Sequence, residues 1–164
     1  MDFLTKHEIS SSLERTRKLL DSGILWDPTL PPPFYRQSVF IEVLINLKDL
    51  LVKSQKLLNQ RVDFTDDVIK DEQLKITDVT DLIANFRDAA CHNDSFRRKF
   101  GSFVSSFNEK RGKVPLGNIG NVRIENKFQD EIAFNMGKNI LYLKRHLERA
   151  FYEVEKNFKP HLSP

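Results

Sequence analysis

The sequence predicts a mainly α protein: a four- or five-helix bundle with a short β-hairpin insertion before the last helix. Apolar residues recur every three or four positions over most of the chain, which is the period of a buried helical face. Between about residues 113 and 136 they alternate with polar residues, which is the period of a half-buried strand. The chain has 164 residues, 40% of them hydrophobic, so residues 1–164 are predicted to form a single helical domain with one core.

The first predicted helix covers residues 5–23. Thr5 and Glu8 have the spacing of a capping box, and Gly23 supplies the stop signal. A proline-dense connector then leads to a second helix over residues 36–61. This second helix has the widest apolar stripe in the chain and is predicted to be central. The stripe consists of Val39, Phe40, Val43, Leu44, Leu47, Leu50, Leu51, Leu57 and Leu58.

Three more helices are predicted after an irregular charged segment. The third begins near Thr77, a suitable N-cap, and ends at the polar stretch HNDS, residues 92–95. The fourth covers residues 96–110, and the last covers about residues 138–158. The fourth carries a phenylalanine at every third or fourth position: Phe96, Phe100, Phe103 and Phe107.

Composition restricts the environment and the kind of partner. The formal net charge is +3 and the sequence pI is about 9.0, which permits a nucleic-acid partner without requiring one. The single cysteine, Cys91, excludes an internal disulfide and a thiolate pair for zinc, and it suits a reducing compartment. Neither a signal peptide nor an apolar run of about 20 residues is visible. We therefore expect a cytoplasmic protein without a membrane partner.

The stretch FRDAACHND, residues 86–94, places reactive side chains on the third helix. Asp88 and His92 are four residues apart, so their side chains lie one above the other, and the carboxylate can orient the imidazole. Arg87 cannot easily reach His92 of its own helix, because five residues rotate the helix about 140° past it. Helix distortion or a second copy of the chain would have to bring these two groups together. The small residues at 89–91 would let a partner helix approach closely.

A simpler interpretation of this stretch is that it has no function. An arginine followed five positions later by a histidine is a weak signal on its own. The Asp88–His92 pair could be an ordinary exposed helix pair worth about 0.3–0.5 kcal/mol.

The wider segment DVTDLIANFRDAACHNDS, residues 78–95, resembles the signature helix of the HEPN superfamily (higher eukaryotes and prokaryotes nucleotide-binding domains). Members carry an arginine, a polar residue, a short spacer and a histidine, which here correspond to Arg87, Asp88 and His92. The order of the helices is also similar, with the motif helix after a long central helix and before the last helix. The β insertion at about 113–136 is outside the minimal family pattern and leaves the subfamily open.

The resemblance implies a metal-independent endoribonuclease with RNA as its partner and no cofactor or metal. His92 would be the general acid or base, Arg87 would bind the scissile phosphate, and Asp88 would orient the imidazole or position the substrate. It also implies a homodimer with a composite active site formed by the two motif helices. Such a protein could be a toxin–antitoxin or phage-defence component, restrained by an antitoxin or a nucleotidyltransferase partner. The alternative is a catalytically silent HEPN-like module that binds RNA, nucleotide or a protein.

Other basic residues leave two interpretations open. Arg97, Arg98 and Lys99 directly follow the motif and could bind RNA phosphates, or they could be solvated residues at a helix end. His146, in the stretch KRHLER, is predicted to lie on a solvated helix face. A helical adaptor without a nucleic-acid role would show scattered rather than clustered positive charge around Arg87.

Overall fold

The computed structural model describes residues 1–27, 29–30, 33–91, 99–100, 103–104, 109–119 and 121–162. This part of the chain is mainly α, as predicted. It contains α1 (Phe3–Asp21), α2 (Pro33–Leu58), α3 (Val79–Cys91) and α4 (Arg149–Leu162), and a π-helical segment, Leu143–Glu148, leads directly into α4.

The start of α1 lies two residues before the predicted start. The cap is Asp2, whose carboxylate accepts hydrogen bonds from the Thr5 backbone N–H at 2.8 Å and from the Thr5 hydroxyl at 3.0 Å. Thr5 is therefore the residue that is capped and not the cap itself. Past the end of α1, Gly23 has a φ of 75°, the left-handed conformation that the predicted stop signal requires.

The central position predicted for α2 is confirmed. It contacts α1, α3 and α4, and its apolar stripe is at the middle of the main hydrophobic core. The buried residues of this stripe are Phe40, Val43, Leu44, Leu47, Leu50 and Leu51. Helix α3 packs against α2, to which it is joined by residues 59–78.

The turn before α3 is fixed by Arg61. Its guanidinium donates from Nε to Asp78 at 2.7 Å, and from Nη2 to Asp78 at 2.9 Å and to Asp81 at 2.7 Å. Asp78 also caps the helix, since its carboxylate accepts the N–H of Asp81 at 3.0 Å. The predicted start at Thr77 is thus within two residues of the observed one, but Asp78 takes the capping role.

The β structure is more extensive than the predicted hairpin. Strands β3 (Glu109–Arg111), β6 (Ile132–Met136) and β7 (Asn139–Tyr142) form an antiparallel sheet in the order β3-β6-β7. Strands β4 (Pro115–Ile119) and β5 (Val122–Glu125) form a separate hairpin. A further short pair joins β1 (Lys99–Phe100) to β2 (Phe103–Val104).

Two helix predictions are wrong in this region. Within the predicted fourth helix, residues 96–110, the described parts are strands, because phenylalanine also favours strands and its spacing alone did not identify the element. The first residues of the predicted last helix form β7, whose four side chains are all buried. A strand buried on both faces has no alternating pattern, so its apolar run resembled the start of a helix.

The sheet separates two hydrophobic clusters. Along β6, Ile132 and Phe134 face the main core, where Phe134 stacks on Phe40 with ring centroids 4.1 Å apart. Ala133 points to the opposite face, where the β4–β5 hairpin forms a second cluster. This cluster contains Leu116, Ile124, Ala133, Ile140 and Tyr142, with Phe128 packed against it. The small β lobe therefore packs onto the helical body through one shared sheet.

Candidate functional site

The candidate site is at the C-terminal end of α3, where Arg87 and Asp88 lie next to each other. Arg87 Nη1 donates to Asp88 Oδ1 at 3.1 Å, and each side chain is 29% exposed. Neighbouring residues on a helix point about 100° apart, so the guanidinium has to fold back across the helix surface to make this contact. The structure thus brings together two of the three predicted catalytic residues.

The guanidinium of Arg87 has unused hydrogen-bonding capacity. Its Nε is buried and has no hydrogen-bond partner in the described part of the chain. Buried polar groups are nearly always paired in folded proteins, and leaving one unpaired costs about 1–3 kcal/mol. A planar guanidinium with donors to spare matches the geometry of a phosphate group, which accepts two parallel N–H bonds.

Most of the remaining predicted site lies outside the described residues. This applies to His92, the first residue after α3 as described, and to Arg97 and Arg98. Of Lys99 only the backbone, in β1, is described. The Asp88–His92 pair and the basic triad therefore stay predictions.

The small residues beside the motif are partly used by the protein's own core. Ala89 is buried in the main cluster, and Ala90 packs against the same cluster. Cys91 is a free, half-buried thiol. Ala89 is thus committed to packing within the chain, which narrows the surface that a partner helix could approach.

Arg36, near the start of α2, and Arg111, in β3, have structural roles. Arg36 and Arg111 both pair with Glu109, at 3.3 Å and 3.2 Å, and the Glu109 side chain is only 10% exposed. Arg111 also donates to the carbonyl oxygens of Leu25, at 2.8 Å, and Trp26. These contacts attach the connector after α1 to β3. The sequence does not indicate these contacts, because Arg36 and Glu109 are 73 residues apart and Arg111 and Leu25 are 86 residues apart.

The solvated position predicted for His146 is wrong. This side chain is fully buried in the π-helical segment. Its Nδ1 accepts the N–H of Tyr142 at 3.1 Å, and its Nε2 lies 3.1 Å from the carbonyl oxygen of Asp66. Burial lowers the pKa of His146 to about 4. A signal was present in the sequence, because His146 lies three residues after Leu143 and four before Ala150, on the apolar stripe of this segment.

Two further findings concern metal binding and membrane spans. Among the described residues, no group of three or more His, Cys, Asp or Glu side chains is arranged to hold a metal ion. None of the described helices has the length and apolar character that crossing a bilayer requires.

Comparisons of the chain with protein-family models, with curated proteins and with solved structures find no match. The resemblance to the HEPN superfamily therefore depends on the motif and on the order of the elements around it.

Proposed function

We propose that the protein is a metal-independent endoribonuclease of HEPN type, with Arg87, Asp88 and His92 as its catalytic residues. The observation that supports this proposal best is the state of Arg87. Its guanidinium is partly exposed, is held by a neighbouring carboxylate, and has a buried donor, Nε, that no described residue accepts. It lies on the helix after which His92 follows directly in the sequence.

RNA suits this set of residues because it carries its own nucleophile. The ribose 2′-oxygen attacks the adjacent phosphorus, the bond to the 5′-oxygen breaks, and the products end in a 2′,3′-cyclic phosphate and a 5′-hydroxyl. In this scheme His92 takes the 2′ proton or gives a proton to the leaving 5′-oxygen, a contribution of about 10²–10⁴-fold. Arg87 binds the phosphate and stabilises the charge that builds on it.

The role proposed for Asp88 has two parts. As the sequence motif suggests, it orients the imidazole of His92 or positions the substrate. Because Asp88 also contacts Arg87, at 3.1 Å, we propose a second role: Asp88 restricts the guanidinium to one arrangement before substrate arrives. Fixing a flexible arginine in advance reduces the conformational entropy lost on binding.

The direct test is to incubate the purified protein with RNA in the presence of a chelator and to look for cyclic-phosphate ends. We expect cleavage by the unaltered protein and a loss of about 100-fold or more for both Arg87→Ala and His92→Ala. His7→Ala and Arg123→Ala are matched controls, because both side chains are exposed on other elements. Cleavage by His92→Ala at the unaltered rate would exclude the proposal. RNA or nucleotide binding without any cleavage would favour the catalytically silent module.

We also propose that the active site is composite, formed by a homodimer. Mixing Arg87→Ala with His92→Ala tests this, because a mixed dimer then has one intact site made of Arg87 from one chain and His92 from the other. Random mixing should restore about a quarter of the unaltered activity if the site is shared. A site within one chain predicts no recovery, and a monomer at working concentration would contradict the dimer directly.

Arg97, Arg98 and Lys99 are proposed to contact RNA phosphates beside the site. Replacing all three with alanine should weaken RNA binding and make it less dependent on salt, because fewer counterions are released on binding. Replacing the exposed Lys56, Lys127 and Lys159 instead is the matched control. Equal effects from the two sets would indicate a general charge effect and no local RNA contact.

A role as a toxin or phage-defence component follows from the same proposal, with an antitoxin or a nucleotidyltransferase as the restraining partner. Expression of the unaltered chain alone should then arrest growth, and His92→Ala should relieve the arrest. Growth arrest by both forms would separate toxicity from the proposed cleavage.

A further inference from the structure

The π-helical segment Leu143–Glu148 is held in place by a buried histidine. His146 is fully buried and connects two other elements: its Nδ1 accepts the N–H of Tyr142 in β7, and its Nε2 lies 3.1 Å from the Asp66 carbonyl oxygen in the loop after α2. Because a carbonyl oxygen can only accept, Nε2 carries the proton and Nδ1 does not. The fold thus requires the neutral imidazole in one tautomer. We call these two hydrogen bonds the His146 contact.

A buried carboxylate holds the same segment from the other side. Glu131, in the turn before β6, accepts the N–H of Lys144 at 3.0 Å and that of Arg145 at 3.1 Å. It also accepts its neighbouring N–H, that of Ile132, at 2.9 Å. Burial raises the pKa of the Glu131 carboxyl, although these three donors favour its charged form.

The charged groups near His146 act in opposite directions and are balanced in number. Arg145 and Arg149 come from its own helical run and disfavour a charged imidazole, while the Asp67 carboxylate favours it. These groups are themselves paired, since Arg145 binds Asp67 at 3.2 Å and Arg149 binds Asp66 at 2.9 Å. The rings of Tyr142 and Phe64 also lie nearby, with centroids 5.2 Å and 6.5 Å from that of His146. A proton on His146 would therefore gain little compensation.

We propose that the His146 contact is an acid-sensitive switch: protonation of His146 opens it and releases the π-helical segment from the loop that contains Asp66. The reason is geometric. A proton on Nδ1 removes the acceptor for the Tyr142 N–H, so two donors would face each other in a site without water access. The segment must then open to expose the imidazole and both backbone groups.

The direction of the pH effect follows from the pKa values. Burial lowers the pKa of His146 from 6.5 to about 4, and opening restores the ordinary value. The neutral imidazole contributes its full stability to the closed form above pH 6.5, and this contribution is lost as the pH falls towards 4. In that window the opening constant rises about tenfold per pH unit, as expected for one proton. Glu131 contributes with the opposite sign, since its raised pKa favours the closed form as the pH falls.

Amide hydrogen exchange of the unaltered protein tests the proposal without any substitution. After correction for intrinsic exchange rates, we expect the opening constant of the Tyr142 amide to rise about tenfold for each unit by which the pH falls, from pH 6.5 to 4.5. At pH 5 the amide of Leu47, buried in α2, should stay better protected than that of Tyr142. A Tyr142 opening constant that does not change with pH would overturn the proposal, and so would equal opening of Leu47 and Tyr142 at every pH.

Trp26 offers an independent optical measurement, because it is the only tryptophan and lies against this segment. Its Nε1 donates to Glu148 at 2.9 Å, and Lys144 Nζ lies 4.3 Å from its ring centroid. Opening should therefore change its fluorescence over the same pH range as the Tyr142 exchange.

Two variants separate His146 from other titrating groups. Asp67→Asn removes the carboxylate that favours the charged imidazole, and asparagine tolerates the left-handed φ of 59° at this position. Asp67→Asn should lower the pKa of His146 in the closed form, so the pH range over which Tyr142 opening rises should extend to lower pH by roughly a few tenths of a unit. Asp21→Asn, on the exposed end of α1, should leave this range unchanged. His146→Gln should remove the pH dependence of Tyr142 opening. If His146→Gln does not fold, the unaltered protein and Asp67→Asn decide the outcome. A pH range of Tyr142 opening that is the same in Asp67→Asn as in the unaltered protein would contradict the proposal.

Discussion

An arginine lies at each end of α3, and the two are equally exposed but differently bonded. Arg61, which fixes the N-terminal end, is 30% exposed, and Arg87, near the C-terminal end, is 29% exposed. Arg61 uses all three nitrogens: Nε and Nη2 bind Asp78 and Asp81, and Nη1 donates to Gln55 at 2.9 Å. Arg87 donates to Asp88 from Nη1, while its Nε has no partner in the part of the chain that the structure describes.

This difference separates an arginine whose guanidinium nitrogens all donate within the chain from one that keeps an unaccepted donor among the described residues. Exposure alone would have assigned Arg61 and Arg87 the same role. The satisfied guanidinium of Arg61 closes a turn and caps a helix, so its binding energy is used within the chain. The Arg87 guanidinium has a buried donor that no described residue accepts, and leaving such a donor unpaired costs stability.

The largest effect is expected from Arg61→Met, which keeps the apolar stem and removes the charge. Asp78, whose side chain is 8% exposed, would lose its charge partner. We expect the free energy of unfolding in urea to fall by about 3 kcal/mol. Arg123→Met is the control, because Arg123 is 64% exposed and its ion pair is long, at 3.6 Å. A loss no larger than that of the control would show that the Arg61 cluster is not structural.

A smaller, pH-dependent effect is expected from Asp81→Asn. Burial raises the pKa of this carboxyl, but hydrogen bonds from Thr77 and Arg61 outweigh burial and hold it below 3.8. Since the folded pKa is lowered, the stabilisation is present above pH 3.8 and is lost as the pH falls through the folded value. Asp81→Asn should therefore cost about 1 kcal/mol at pH 6 and less at pH 3, measured by urea unfolding. A constant difference at both pH values would exclude the charge as the cause.

The smallest effect on stability is expected from Arg87→Met. The substitution removes one partly exposed ion pair, which contributes about 0–1 kcal/mol, and also removes a buried donor that no described residue accepts. We expect a change between zero and a gain of about 1 kcal/mol in the free energy of unfolding, together with the loss of RNA cleavage proposed above. A loss close to that of Arg61→Met would indicate that both ends of α3 are structural.

Sequence reasoning was most reliable where a single helix carried a long apolar stripe. The central position of α2 and the approximate extents of α1 and α3 were predicted within a few residues, because helical periodicity is a local property. For β1, β2 and β7 the sequence predicts helix, since short apolar or phenylalanine-rich runs fit both periods. Whether such a run pairs with another strand depends on residues that are distant in the sequence.

The candidate site was predicted in the same uneven way. The motif identified Arg87 and Asp88, and their ion pair is observed. No pattern in the sequence indicates that Arg87 has a donor unaccepted by the described residues, because that depends on what packs around it. His146 shows the reverse: its burial could have been inferred from the apolar stripe, but its charged neighbours in the sequence suggested a solvated face.

The sequence by itself determined the mainly α character, the central helix and the position of the reactive residues along α3. These follow from local periodicity and spacing. Only the tertiary structure decided which arginine is satisfied, which histidine is buried and which apolar runs become strands, because hydrogen bonding and burial are set by partners far away along the chain.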